Sequence, residues 1–344
     1  MATRATTARR MLTQTGLLAT ALVIMALMAV MAWVLGGFLP VVGAPVLALL
    51  AGVAIRNTVG TPAVLRPGVD YTLKRLLRLA IILFGATLAL GQIIRIGAEA
   101  LAIILVTIAL ALGLTALFGR WLRAPSRLVS LIGAGTAICG ATAIITVGPI
   151  LEAEDEEIAF ALATIFLFNM LAVIIYPLLG HLLALSDVVY GTWAGAAIHD
   201  TSSVLAASFG FSDLAGSVAT VVKLTRTLML VPLALLFGFA HSYRRSRAGS
   251  AGSVRVSLVK IFPWFVLWFV AAAVLNTLGL LTPSMVEISA LVGKFLIVMV
   301  MVAVGLSADL KGMRQIGLRP LYLGLFASVL IAVVSMVLIR WLMA

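Results

Sequence analysis

Charge is what this chain has least of. Asp, Glu, Lys and Arg together make up 10% of its 344 residues, against roughly 25% in a soluble domain. No polar block is long enough to fold alone in water. Acidic residues are the scarcer sign, 12 against 24 Lys plus Arg, giving a formal net charge of +12. The single cysteine, Cys139, excludes an internal disulfide framework. Cys139 and His199 are too few for a metal site, and no activated nucleophile with its base can be read. Neither an enzyme nor a bound cofactor is expected.

Hydrocarbon takes the place of charge. The chain is 63% hydrophobic, with a mean hydropathy of +1.22. Apolar runs of about twenty residues recur along its length, each enough to cross a bilayer core of ~30 Å as a helix. The reading is a single all-α polytopic membrane domain spanning residues 1–344. Its basic residues form no nucleic-acid footprint, because most sit in short loops between apolar runs, as the positive-inside rule expects. The run Thr15–Leu35 reads as a retained signal-anchor helix, since no small-residue cleavage site ends it.

Eleven hydrophobic segments can be drawn, roughly 15–35, 42–56, 76–93, 98–118, 128–150, 157–184, 190–209, 214–240, 259–280, 287–308 and 320–342. Threading them with residues 1–14 in the cytoplasm puts every basic loop there too: Arg56 to Arg78, Arg120 to Arg127, His241 to Lys260, and Lys311 to Arg319. The Ser/Gly-rich 241–260 stretch reads as a flexible cytoplasmic loop. The acidic run Glu152–Glu157 and the C-terminus then fall outside.

Segment five contains Gly133, Gly135, Gly140 and Gly148 with Thr136, Thr142 and Thr146, a poor recipe for one continuous helix. Segment seven carries His199-Asp-Thr-Ser-Ser203 in the same setting. The two stretches resemble each other, Ala137-Ile-Cys-Gly-Ala-Thr-Ala143 against Ala197-Ile-His-Asp-Thr-Ser-Ser203. Each precedes a span with Pro near its end, Pro177 or Pro232. A second internal likeness links 76–88 with 294–307. Such pairs are the usual mark of inverted repeats in transporters. Interrupted helices that cross the membrane are the preferred reading of segments five and seven. Re-entrant hairpins satisfy the charge rule equally well.

These two segments resemble the signatures of the bacterial inner-membrane family labelled, by inference, as sulfate exporters, also called UPF0324 or YeiH-like. The resemblance covers nearly the whole chain in length, span number and motif order. It implies a secondary transporter related to the cation:proton antiporter and bile acid/arsenite/riboflavin superfamily, with two inverted halves and helices broken at mid-membrane.

Ionisable residues within membrane spans mark function by default. His199 and Asp200 are candidates for proton coupling, His199 because it titrates near neutral pH. Lys223 and Arg226, at i and i+3, share a helix face and would balance an anion's charge, Arg offering a planar fork to an oxyanion. Thr136, Gly140, Thr142, Thr201 and Ser202 would add hydroxyl and backbone donors, and Asn169 would face the same cavity. Blander readings stay open: a buried ion pair with Asp200, a capping Asp200, a satisfied His199. The function expected is export of a small inorganic or organic anion, such as sulfate or a sulfonate, coupled to protons. A cation:proton antiporter built on Asp200 is the first alternative, and a non-transporting scaffold or channel the second. The bilayer is the one sure partner; a homodimer is left open.

Overall fold

The computed structural model describes residues 2–39, 43–247, 258–313 and 317–342, and every regular element among them is helical. The chain opens with α1 (Ala2–Phe38) and α2 (Gly43–Thr58). Next comes a rod made of α3 (Arg66–Tyr71), a π-helical turn (Thr72–Leu76) and α4 (Leu77–Gly85). The long α5 (Leu90–Trp121) follows. Among the described residues six helices are long and apolar enough to cross a membrane, and four more apolar helices are shorter.

The sequence places the break between the third and fourth segments near residue 95, whereas the structure puts it at Ala86–Ala89. Nothing in Ala86-Thr-Leu-Ala89 is polar enough to show this. One local bond and two tertiary ones hold the turn open instead. Thr87 Oγ1 donates to Phe84 O, Asn276 Nδ2 donates to Leu88 O, and Leu90 N–H donates to Thr277 Oγ1.

Segment five divides into α6 (Ser126–Ala137) and α7 (Ala141–Ile150), and the two lie antiparallel. A Cβ on Gly135 would meet Ile144 at 2.9 Å, and one on Gly148 would meet Leu131 at 3.9 Å. Both pairs straddle a turn at residues 138–140. Gly140, at φ +62°, supplies that reversal. At about 18 and 15 Å, each arm spans only half of a ~30 Å core.

Segment seven divides in the same way, into α9 (Asp187–Ala197) and α10 (Thr201–Phe211). The Tyr190 hydroxyl donates to Ala207 O at 3.3 Å, and the Tyr190 and Phe211 rings stack at 3.9 Å. A straight helix would hold residues 190 and 211 roughly 30 Å apart. Both segments are therefore re-entrant hairpins, which corrects the preference for crossing helices.

The mouths of the two hairpins lie at opposite ends of α8 (Asp155–Leu182), about 42 Å long. Gly148 of the first packs on Ile158, and Tyr190 of the second packs on Gly180. From the second mouth α11 (Asp213–Leu228) runs parallel to α9, Gly191 seating on Ala215 and Gly195 on Ala219. It continues as α12 (Leu230–Arg247), which brings His241 within 3.9 Å of Glu152 at the first mouth. The two hairpin-plus-span units are thus inverted relative to each other, as the likeness between 137–143 and 197–203 suggests.

The remaining elements are α13 (Leu258–Ile261), α14 (Trp264–Thr277), α15 (Pro283–Ser307), α16 (Leu310–Met313) and α17 (Leu318–Leu342). Two cores result. One gathers α5 to α12 with α17, and the other gathers α1 to α4 with α14, α15 and the facing sides of α8, α10 and α11. Helices α2 and α15 pack backbone to backbone, a Cβ on Gly52 standing only 2.6 Å from Val302 O. Phe209 of α10 stacks on Phe84 within the second core at 4.1 Å.

One further expectation changes with the hairpins. A hairpin returns the chain to the side it left, so Glu152–Glu157 lies on the basic face, not opposite it. Glu154, Glu156 and Glu157 share a surface basin with Pro125 and Arg319. The expected 241–260 loop is helical to Arg247 and again from Leu258; residues 248–257 lie outside the described part. In a Cys139→Ser background, single cysteines at Arg120 and Glu156 should react with an impermeant maleimide from the same side of sealed vesicles. A cysteine at Ser186 should react only from the other side. Opposite labelling of Arg120 and Glu156 would restore crossing helices.

Candidate functional site

A helix broken inside a membrane leaves carbonyls without donors at one new end and N–H groups without acceptors at the other. The two hairpin tips meet midway along α8, so the carbonyl ends of α6 and α9 come together, as do the N–H ends of α7 and α10. The chain treats the two kinds of orphan differently.

Lys223 and Arg226, adjacent on one face of α11, serve the carbonyls, and both are wholly buried. Lys223 Nζ donates to Ile138 O at 2.8 Å, to Ile198 O at 2.9 Å and to His199 O. Arg226 Nε donates to Ala137 O at 2.7 Å, Nη1 to Ala196 O at 2.6 Å, and Nη2 to Thr136 O. Two cations thus tie both tips together against the negative ends of two half-helices. Neither pairs with Asp200, and their donors turn to the backbone rather than to open space.

Asn169 of α8 serves the N–H side. Its Oδ1 accepts from His199 N at 3.2 Å and from Asp200 N at 3.1 Å. Asp200 in turn caps α10, Oδ2 accepting from Ser202 N at 2.9 Å and from the Ser202 hydroxyl. No side chain caps α7, whose N-cap is Gly140.

A cavity of about 620 Å³ reaches these N–H ends. Ala141, Asn169, Asp200, Ser202 and Ser203 form its floor, and Leu73, Leu77, Leu162, Phe166 and Val304 form apolar walls. Ser307, Asp309 and Gly312 stand at its mouth on the basic face. There Arg56 Nη2 meets Asp309 Oδ2 at 2.8 Å, and Gly312 N–H donates to Asp309 Oδ1. That N–H, helped by the guanidinium, lowers the pKa of the Asp309 carboxyl. A lowered carboxylate stays charged at neutral pH, so this latch loosens only as the pH falls through that lowered value.

His199 faces the other way. Its Nε2 lies 2.9 Å from Ser328 Oγ of α17, beneath a separate apolar cleft of about 460 Å³ between α8, α9 and α17. Adjacent in sequence, His199 and Asp200 border different spaces.

Of the residues singled out from sequence, Asn169, Asp200 and Ser202 line the cavity. Thr201 begins α10 beside them, and Thr142 is exposed near the start of α7. The Thr136 hydroxyl is buried and donates to Ile132 O. Lys223 and Arg226 sit behind the tips and not in the cavity wall. Ser203 and the Arg56–Asp309 mouth were missed. Ser203 could have been taken from the Thr-Ser-Ser run, but a pair 253 residues apart leaves no local signal.

A family model described as "Conserved hypothetical protein 698" matches residues 20–338. A UPF0324 membrane protein of Clostridium tetani is 36% identical over 321 residues, covering 90% of this chain and 93% of its own. Those of Fusobacterium nucleatum and Streptococcus pneumoniae serotype 4 are 36% and 37% identical, covering 90% and 87% of this chain and 94% and 89% of theirs. The chain belongs to the UPF0324 family. As a member it is a multi-pass membrane protein, which agrees with the helices found here.

Removing Arg226 strands several buried carbonyls, at a cost of about 1–3 kcal/mol for each one left without a donor. Arg226→Ala should therefore lower the thermal stability of the purified protein sharply, with Arg226→Lys intermediate. An unchanged melting temperature for Arg226→Ala would show that the tips do not depend on this side chain.

Proposed function

We propose that this UPF0324 protein is a secondary transporter that exports a small anion, such as sulfate or a sulfonate, coupled to protons. The observation that carries the reading is the cavity floor, where two half-helix N-termini converge with the Ser203 hydroxyl and the Asn169 amide. Such ends favour anions. Behind them stand two buried cations, Lys223 and Arg226, against one carboxylate, Asp200. The local charge balance is positive, and it becomes more so when Asp200 takes a proton. Protonation and anion binding therefore favour each other, which is the requirement for moving both together.

The positive-inside rule makes the basic face cytoplasmic. The cavity then opens to the cytoplasm, where an exporter must load. Inverted hairpin units support alternating access, one core shifting against the other around the tips. The bacterial relatives favour a bacterial inner (plasma) membrane as its location. The alternative antiporter reading keeps Asp200 as a cation site, and Asp200 is the one carboxylate on the cavity floor. The paired cations behind it weigh against that reading. A non-transporting role would leave the inverted tips without a use.

The test is flux in proteoliposomes. An imposed sulfate or alkanesulfonate gradient should drive saturable proton movement. Asp200→Asn should abolish the proton movement while anion counterflow persists. Sodium-dependent proton movement in anion-free buffer would favour the antiporter instead, and no saturable flux of any ion would sink transport.

A further inference from the structure

The two N–H ends at the cavity floor share a register, and only one of them carries a capping carboxylate. Aligned through their shared pattern, Gly140 corresponds to Asp200 and Thr142 to Ser202. Each pair stands at the same place relative to its half-helix, since α7 begins at Ala141 and α10 at Thr201. On α10, the carboxylate of Asp200 accepts both the N–H and the hydroxyl of Ser202. On α7, Thr142 carries the same two donors, but Gly140 has no side chain to accept them. Among the described residues neither donor of Thr142 has a partner.

Two buried side chains add donors at the same place. With Oδ1 of Asn169 fixed by two backbone N–H groups, its Nδ2 is turned toward the first tip, 3.6 Å from where a Cβ on Gly140 would stand. Asn169 is 5% exposed, and that Nδ2 donates to no protein atom. Ser203, 2% exposed, lines the same floor without a hydrogen-bond partner.

We propose that the transported anion places an oxygen on the N-terminus of α7 where Asp200 places its own carboxylate on α10. The donors would be the Thr142 N–H and hydroxyl, with Asn169 Nδ2 beside them. Asp200 is then an internal template for the ligand. The cavity also says what the rest of that ligand is. About 620 Å³ lies in the range that holds drug-sized molecules, and Leu73, Leu77, Leu162 and Phe166 wall it with hydrocarbon. The fitting class is an organic anion, a sulfonate or carboxylate head on an apolar body, in preference to bare sulfate.

This inference rests on the anion reading above, and the experiment separates the two. Binding of hexane-1-sulfonate and of sulfate to the full chain in lipid nanodiscs is measured by calorimetry. Hexane-1-sulfonate should bind more tightly than sulfate. Thr142→Val should weaken both by about tenfold or more, as expected for a lost bond to a charged group. Thr142→Ser should stay near wild type, and Ser202→Ala should change affinity less than threefold because its hydroxyl already serves Asp200. If neither probe binds wild type, the anion reading fails and takes this inference with it. If both bind equally to wild type and Thr142→Val, the anion reading stands and the α7 subsite is overturned. Equal loss in Ser202→Ala would overturn the template, and tighter binding of sulfate would overturn the organic-anion class.

Discussion

Everything at the centre of this molecule follows from one constraint: a backbone that stops being helical inside a membrane must find partners for its peptide groups. Breaking segments five and seven exposes two sets of carbonyls and two sets of N–H groups in surroundings without bulk water. Lys223 and Arg226 answer the carbonyls, and they can do so only because inverted hairpins bring both carbonyl ends to one stretch of α11. Burying two cations side by side would be prohibitive without such acceptors. The half-helices and the cations therefore require each other, and the inverted arrangement is the geometry that lets one helix serve both tips.

Satisfying the N–H ends takes a different form. A cation cannot help there, so the chain uses an amide oxygen from Asn169 and a carboxylate from Asp200. Both act on the second tip. The first is left with Gly140 at its cap, and its Ala141 borders the same cavity as Asp200, Ser202 and Ser203 of the second tip. The incomplete end is thus an accessible one. Were packing alone at stake, leaving the accessible end bare would bring only the cost of unsatisfied donors.

Much of this was legible in the sequence, and what was not has definable causes. Four glycines and three threonines in segment five announced a break, because such a stretch cannot hold a stable helix. His199-Asp200 did the same for segment seven, and the i, i+3 spacing of Lys223 and Arg226 announced a shared face. Whether the broken segments cross or turn back was not legible. Either threading keeps the basic loops together, and the deciding contacts, such as Tyr190 on Phe211, are tertiary. The acidic run went to the wrong face for the same reason. The targets of Lys223 and Arg226 were hidden because backbone carbonyls have no letter in a sequence. A counter-ion such as Asp200 or a bound anion is the only partner that residue identities can suggest.

The separation of His199 from Asp200 adds the last step. Both are candidates for proton coupling from sequence, and the unwound turn sends Asp200 toward the basic-face cavity and His199 toward Ser328 and the cleft beside α17. Asn169 grips the backbone N–H groups of both residues. Any movement that rotates the second tip must therefore carry the two side chains together, and it also shifts the Ala196, Ile198 and His199 carbonyls held by Lys223 and Arg226. A carboxylate and an imidazole on opposite sides of one short turn, pinned by a shared amide, stand between the two cavities. If a proton passes from one side of this protein to the other, that turn holds titratable groups facing both cavities.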